Sequence, residues 1–215
     1  FFWINFPIIA LLIFLIMTIA HFGLCDWSNF NIDKNKFSIS FTYGMTVIFG
    51  IIFFNESQSF QIFEYLTNND IYLLKDYLFI PYLLTFISII YFFYLSINDR
   101  KIRIGVIEIL FLLFIFYIFD PLLSFSIYFC FFHTYKHLKK LIANIYLNLN
   151  NKKFVIYSTV LFTIISWIGG VIIVLFLIDH FTLYESILKV IFIGLAALTL
   201  PHMILVDLIY RRRFK

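Results

Sequence analysis

Seven apolar runs of roughly membrane-spanning length, near residues 2–24, 37–54, 77–97, 102–119, 121–146, 154–178 and 186–209, dominate this chain. A helix needs about 20 apolar residues to cross the hydrocarbon core of a bilayer. The expected fold is therefore all-α, a polytopic membrane helical bundle of about seven transmembrane helices, forming a single integral-membrane domain over residues 1–215. Composition agrees, with 63% apolar and 13% charged residues, against about 25% charged in ordinary soluble domains. Phe, Ile, Tyr, Asn and Lys are abundant in a way that AT-rich codons alone produce, so the 22% aromatic content is no sign of a cofactor box.

Two boundaries stand out. Asp120-Pro121 divides the fourth run from the fifth, because the residue before a proline avoids helical geometry. The stretch 55–76, NESQSFQIFEYLTNNDIYLLKD, is too polar to span and is expected to lie at the interface as an amphipathic helix. No cleavable leader is evident, since the first run lacks a basic start and a small-residue cleavage pattern.

Assigning the connections alternately to two sides puts fourteen of the sixteen basic residues, Lys136 among them, on one side and leaves Lys75 and Lys189 opposite. The positive-inside rule makes the crowded side cytoplasmic. The C-terminus is thus expected in the cytoplasm. Four of the five histidines, His21, His133, His137 and His202, then share one depth in the cytoplasmic half, and His180 falls in a short outer loop. The basic residues are explained by topology, and no phosphate-cradling loop is present, so nucleic acid is not an expected partner.

The segment DPLLSFSIYFCFFHTYKH, residues 120–137, sets His133 and His137 four apart, on one face of a helix. At α-helical spacing Ser126 and Cys130 precede them and Lys140 and Asn144 follow, making a polar stripe that must face protein or a cavity rather than lipid. Two imidazoles on one face suit iron, copper or zinc. A basic juxtamembrane end explains the same residues without a metal. The segment AHFGLCDW, residues 20–27, offers His21 one turn from Cys25, Gly23 where another backbone can approach, and Asp26 as a carboxylate able to orient an imidazole. A helix end with an interfacial tryptophan is the simpler alternative. His202 follows Pro201 inside an apolar run, where it serves as ligand, outer hydrogen-bond donor or ordinary core. Cys25 and Cys130 show no pairing or CxxC spacing.

AHFGLCDW, then DPLLSFSIYFCFFHTYKH, then ALTLPHMILVD, in this order, resemble the Brp/Blh family of bacterial and archaeal β-carotene 15,15′-dioxygenases. The resemblance implies a non-haem Fe(2+) enzyme that cleaves the central double bond of β-carotene with O₂, the two retinals serving a microbial rhodopsin. It implies His21, His133 and His137 as iron ligands and leaves the role of His202 open. The family also carries a GxxHGxxD-type motif on an earlier helix. The Phe start, the odd number of spans and the outward N-terminus lead to the expectation of one further helix upstream. An apolar substrate would enter from membrane lipid into a slot near Ser126, Tyr128, Cys130, Phe132 and Tyr135. Intramembrane histidines also suit a transporter or proton relay, and a bis-histidine haem protein. A diiron desaturase would need more histidines than the five present.

Overall fold

The computed structural model describes residues 2–27, 36–68, 71–139 and 152–211, all of whose regular structure is helical. They fall into two compact units, Phe1–His137 and Leu138–Lys215. Among the described residues four stretches, against the about seven expected, are long and apolar enough to cross a membrane: Pro7–Asp26, Phe37–Phe54, Leu74–Ser96 and Ile156–Leu177. The molecule is an all-α membrane protein, as its composition requires.

In the first unit the opening run breaks at Pro7 into a short α1, Phe2–Asn5, and a long α2, Pro7–Trp27. Proline fits the first helical position, where its missing N–H is no loss. The next helix, α3 (Lys36–Phe54), packs along α2 with unusual intimacy. A Cβ placed on Gly23 would stand 2.0 Å from the Ser40 carbonyl oxygen, and one on Gly44 would stand 2.0 Å from that of Ile19. Glycine at both crossings is what lets the two backbones meet, the small-residue packing that apolar solvents favour. The close approach expected at Gly23 is therefore present.

The polar stretch after α3 forms α4, Glu56–Thr67, and a 3₁₀ turn, Tyr72–Tyr77. The helix is amphipathic as expected, but its apolar face, Phe60, Ile62 and Leu66, is buried in protein against α2 and α3. Trp3 Nε1 donates to the Leu66 carbonyl at 3.0 Å, tying the chain's start to it. Lys75 pairs with Glu56 at 2.8 Å.

α5 (Phe79–Ser96) and α6 (Arg100–Ile118) complete the wall around α3. The shared core comprises Phe22, Ile39, Tyr43, Val47, Ile51, Phe92, Val106, Ile109, Leu112, Phe116 and Tyr128. Asn55 closes the far end of α6, its amide donating to the carbonyls of Phe116 at 2.9 Å and Phe119 at 3.1 Å. Asp120 ends the connection as expected and caps α7, Pro121–Ile127, by accepting from the N–H groups of Leu122 and Leu123, each at 3.0 Å.

Beyond α7 the chain stays helical but changes winding. Tyr128–Thr134 is a π-helix, with α-helix resuming at residues 135–139. A π turn holds one residue more than an α turn, so residues five apart share a face within it.

The second unit pairs α8, Lys152–Leu177, with α9, Leu183–Arg211. Its tight connection carries a reciprocal cap: Thr182 N–H donates to Glu185 at 3.0 Å, and Glu185 N–H to the Thr182 hydroxyl at 3.3 Å. This is the capping-box geometry. His180 is exposed in that turn, as expected of a loop histidine.

Candidate active site

The site grows from the end of α2 and the π segment. Asp26 is only 1% exposed and its carboxylate is fully engaged. Tyr128 donates its hydroxyl to Asp26 Oδ2 at 2.6 Å, and His133 Nδ1 lies 2.9 Å from Asp26 Oδ1. An ionised carboxylate only accepts, so the His133 proton sits on Nδ1, which makes Nε2 the nitrogen able to bind an ion. Tyr128 and His133 are five residues apart. They reach one carboxylate together because the helix between them is π-wound.

His21 comes from the preceding turn of α2. Its ring centre is 5.0 Å from that of His133, the planes inclined at 64°. Cys25 Sγ lies 3.4 Å from His21 Nδ1, one turn along the same helix. Phe22 stands 4.8 Å from the His133 ring and Phe129 5.5 Å, so aromatic carbon walls the imidazole on two sides. His137 follows one turn beyond His133, its ring parallel within 9° at 6.2 Å. Among the described residues no three His, Cys, Asp or Glu side chains form a ready-made metal set. Of the expected trio, His21 and His133 form a close pair, and His137 stacks on the His133 ring.

Four residues expected to line the site, Ser126, Tyr128, Cys130 and Tyr135, lie otherwise. Ser126 and Cys130, expected beside His133 at α-helical spacing, are both exposed. Ser124 and Tyr128 take the buried positions instead, nine and five residues before His133, because the π turn lengthens the period between residues that share a face. Tyr128 is fully buried in the core as a hydrogen-bond donor rather than facing a slot, and Tyr135 is exposed. The side chain of His202 and residues Lys140 and Asn144 lie outside the described residues.

A second polar cluster sits against the first and was not anticipated. Tyr43 of α3 donates to Glu108 Oε1 of α6 at 2.5 Å, and Lys136 pairs with the same oxygen. Lys136 Nζ also reaches the Tyr43 hydroxyl at 3.4 Å and lies 5.0 Å from the centre of its ring. Lys136 therefore has a partner inside the protein and says little about topology. The Tyr43 and Tyr128 rings are 6.4 Å apart, which joins the two clusters.

Comparison with known proteins bears on this arrangement. The family model described as beta-carotene 15,15′-dioxygenase matches residues 1–210. The chain belongs to the β-carotene 15,15′-dioxygenase family. A relative of that name from uncultured marine bacterium 66A03 is 33% identical over 209 residues, covering 97% of this chain and 75% of the relative. No solved structure matches. All the polar groups of both clusters fall within the stretch matched by the dioxygenase family.

Proposed function

We propose that this chain cleaves the central 15,15′ double bond of β-carotene with O₂ to give two molecules of retinal, at a non-haem ferrous ion held by His21, His133 and His137. The observation that carries the reading is the Asp26-braced approach of His133 to His21 within a member of this dioxygenase family. Two imidazoles bound to one ion through bonds of about 2.1 Å have ring centres roughly 4.5–5.3 Å apart; the 5.0 Å between His21 and His133 fits, whereas the 6.2 Å between the parallel His133 and His137 rings does not, so His137 would have to turn toward the ion to bind it. All-imidazole ligation also suits iron by donor softness.

When bound, the iron would supply O₂ activation beside the polyene. The protein's own residues do the rest. Asp26 fixes the tautomer and direction of His133, and Tyr128 fixes Asp26. Phe22 and Phe129 keep water from the imidazole. One oxygen atom goes to each half of the broken double bond, so two aldehydes form with no net proton uptake and no external reductant. A substrate without polar groups is recognised by apolar shape and delivered from membrane lipid. The retinal would then pass to a microbial rhodopsin.

Expression in β-carotene-producing cells tests the reading. Wild-type protein should bleach the yellow colour and yield extractable retinal, while His21→Ala, His133→Ala and His137→Ala lose retinal and bound iron at matched expression. His180→Ala, exposed and remote in sequence, should change neither. Undiminished retinal from any of the three removes that residue from the site.

We further propose seven spans in an inner or plasma membrane, with a cytoplasmic C-terminus and the histidines in the cytoplasmic half. A reporter fused after Lys215 should then read inside, and one placed within 179–185 outside. Reversed signals would overturn this orientation.

A further inference from the structure

A π segment is one residue away from being an ordinary α-helix, so something must hold its winding. Unwinding the extra residue would turn everything beyond it by about 100° relative to what precedes it. His133 and His137 would swing with that turn. On the near side the winding is held by Asp26, which grips Tyr128 and His133 at once. On the far side the first charged group after the π segment is Lys136, between the two histidines in sequence. Its ammonium reaches across to Glu108 on α6, whose carboxylate is also tied to Tyr43 on α3. The two side chains are only 16% and 14% exposed. A charge pair in this setting needs close mutual contact to offset its desolvation, so it tolerates little displacement.

We infer that the Lys136–Glu108 pair, braced by Tyr43, is a register lock that positions His133 and His137 by holding the π segment at its C-terminal end. This rests on the histidine-iron reading above. Neither Lys136 nor Glu108 is asked to touch the carotenoid or O₂. They are positioning residues, and their influence should fall on the competence of the site rather than on capture of the apolar substrate.

The test uses the purified chain in detergent, with Co(II) as a spectroscopic probe of the imidazole site and carotenoid turnover as a separate readout. Glu108→Gln and Lys136→Met are compared with the exchanged double variant, Glu108→Lys with Lys136→Glu. Each single variant should lose Co(II) affinity and kcat by about tenfold to a hundredfold, the range seen when groups behind metal ligands are removed, with KM within about twofold of wild type. The double variant restores an attractive pair and should recover most of both. Where a single variant misfolds, Glu108→Gln with Lys136→Met removes both charges together, leaves no buried ion unpaired, and should fold yet keep the deficit. Single variants that bind Co(II) and turn over like wild type would overturn the lock, as would a double exchange no better than either single change. Wild-type protein stripped of metal that takes up no Co(II) while still making retinal would sink the histidine-metal reading instead, and the kcat and KM comparison then decides on the lock alone.

Discussion

Gly44→Ala should leave little protein with the native packing of α2 on α3, and Gly23→Ala should do the same. Each added Cβ would sit 2.0 Å from a backbone carbonyl oxygen, where ordinary contact begins at 3.4 Å. A backbone carbonyl cannot rotate aside as a side chain does, so the helices must separate along their length. Overpacking in compliant cores costs about 1–3 kcal/mol, and a clash between two helix backbones belongs at or above the top of that range. Two other glycines serve as internal controls. A Cβ on Gly50 meets only side chains, Phe116 and Leu113, at 3.1–3.4 Å, and one on Gly194 meets nothing within 4 Å. Size-exclusion profiles and thermal unfolding in detergent should therefore rank Gly194→Ala as harmless, Gly50→Ala as mild, and Gly23→Ala and Gly44→Ala as severe. Native-like profiles for the last two would show that α2 and α3 do not cross this closely. The site would suffer with the fold, since α2 carries His21 and Asp26, and α3 carries Tyr43.

Asp26→Asn is expected to lower retinal formation about a hundredfold with the fold intact, while Asp26→Ala lowers both activity and stability. The two variants separate geometry from proton placement. Asparagine has nearly the shape of aspartate but offers one acceptor oxygen and one donor amide. If the oxygen keeps the Tyr128 hydroxyl, the amide faces His133 Nδ1 and must donate to it. The imidazole proton then moves to Nε2, the nitrogen needed for an ion, and ligation fails through the wrong tautomer. Alanine leaves the Tyr128 hydroxyl and the His133 N–H without an acceptor in an apolar interior, each costing about 1–3 kcal/mol. Iron content by metal analysis, together with melting temperature, distinguishes the cases. Full iron and full activity in Asp26→Asn would show that Asp26 does not set the His133 tautomer.

The all-α membrane character and the pairing of His133 with His137 along one helix were legible in the sequence because hydropathy and HxxxH spacing are local signals. So was the role of Gly23, and so was Asp26 as partner of an imidazole. Which imidazole it braces was not legible, because the contact joins residues more than a hundred positions apart. The polar stripe was misplaced at Ser126 and Cys130 for a definite reason: it was counted at the α-helical period, and nothing in SIYFCFFHT marks where the period lengthens. Glu108 was hidden as one charge within an apolar run whose basic start explained its polarity. Tyr43 looked like one more aromatic in a chain rich in them. Their meaning lies in meeting each other and Lys136 across three helices.

The π winding also changes how kinship at this site should be recognised. A pattern built on regular helices would search upstream of the first histidine at positions minus four and minus seven, which here are Phe129 and Ser126. The informative residue is at minus five. The pattern to seek is Tyr-x₄-His-x₃-His, accompanied earlier in the chain by His-x₄-Asp. Chains that keep HxxxH but carry the hydroxyl at minus four would be expected to bind the same carboxylate from an unbroken α-helix, one residue shorter between the same two contacts.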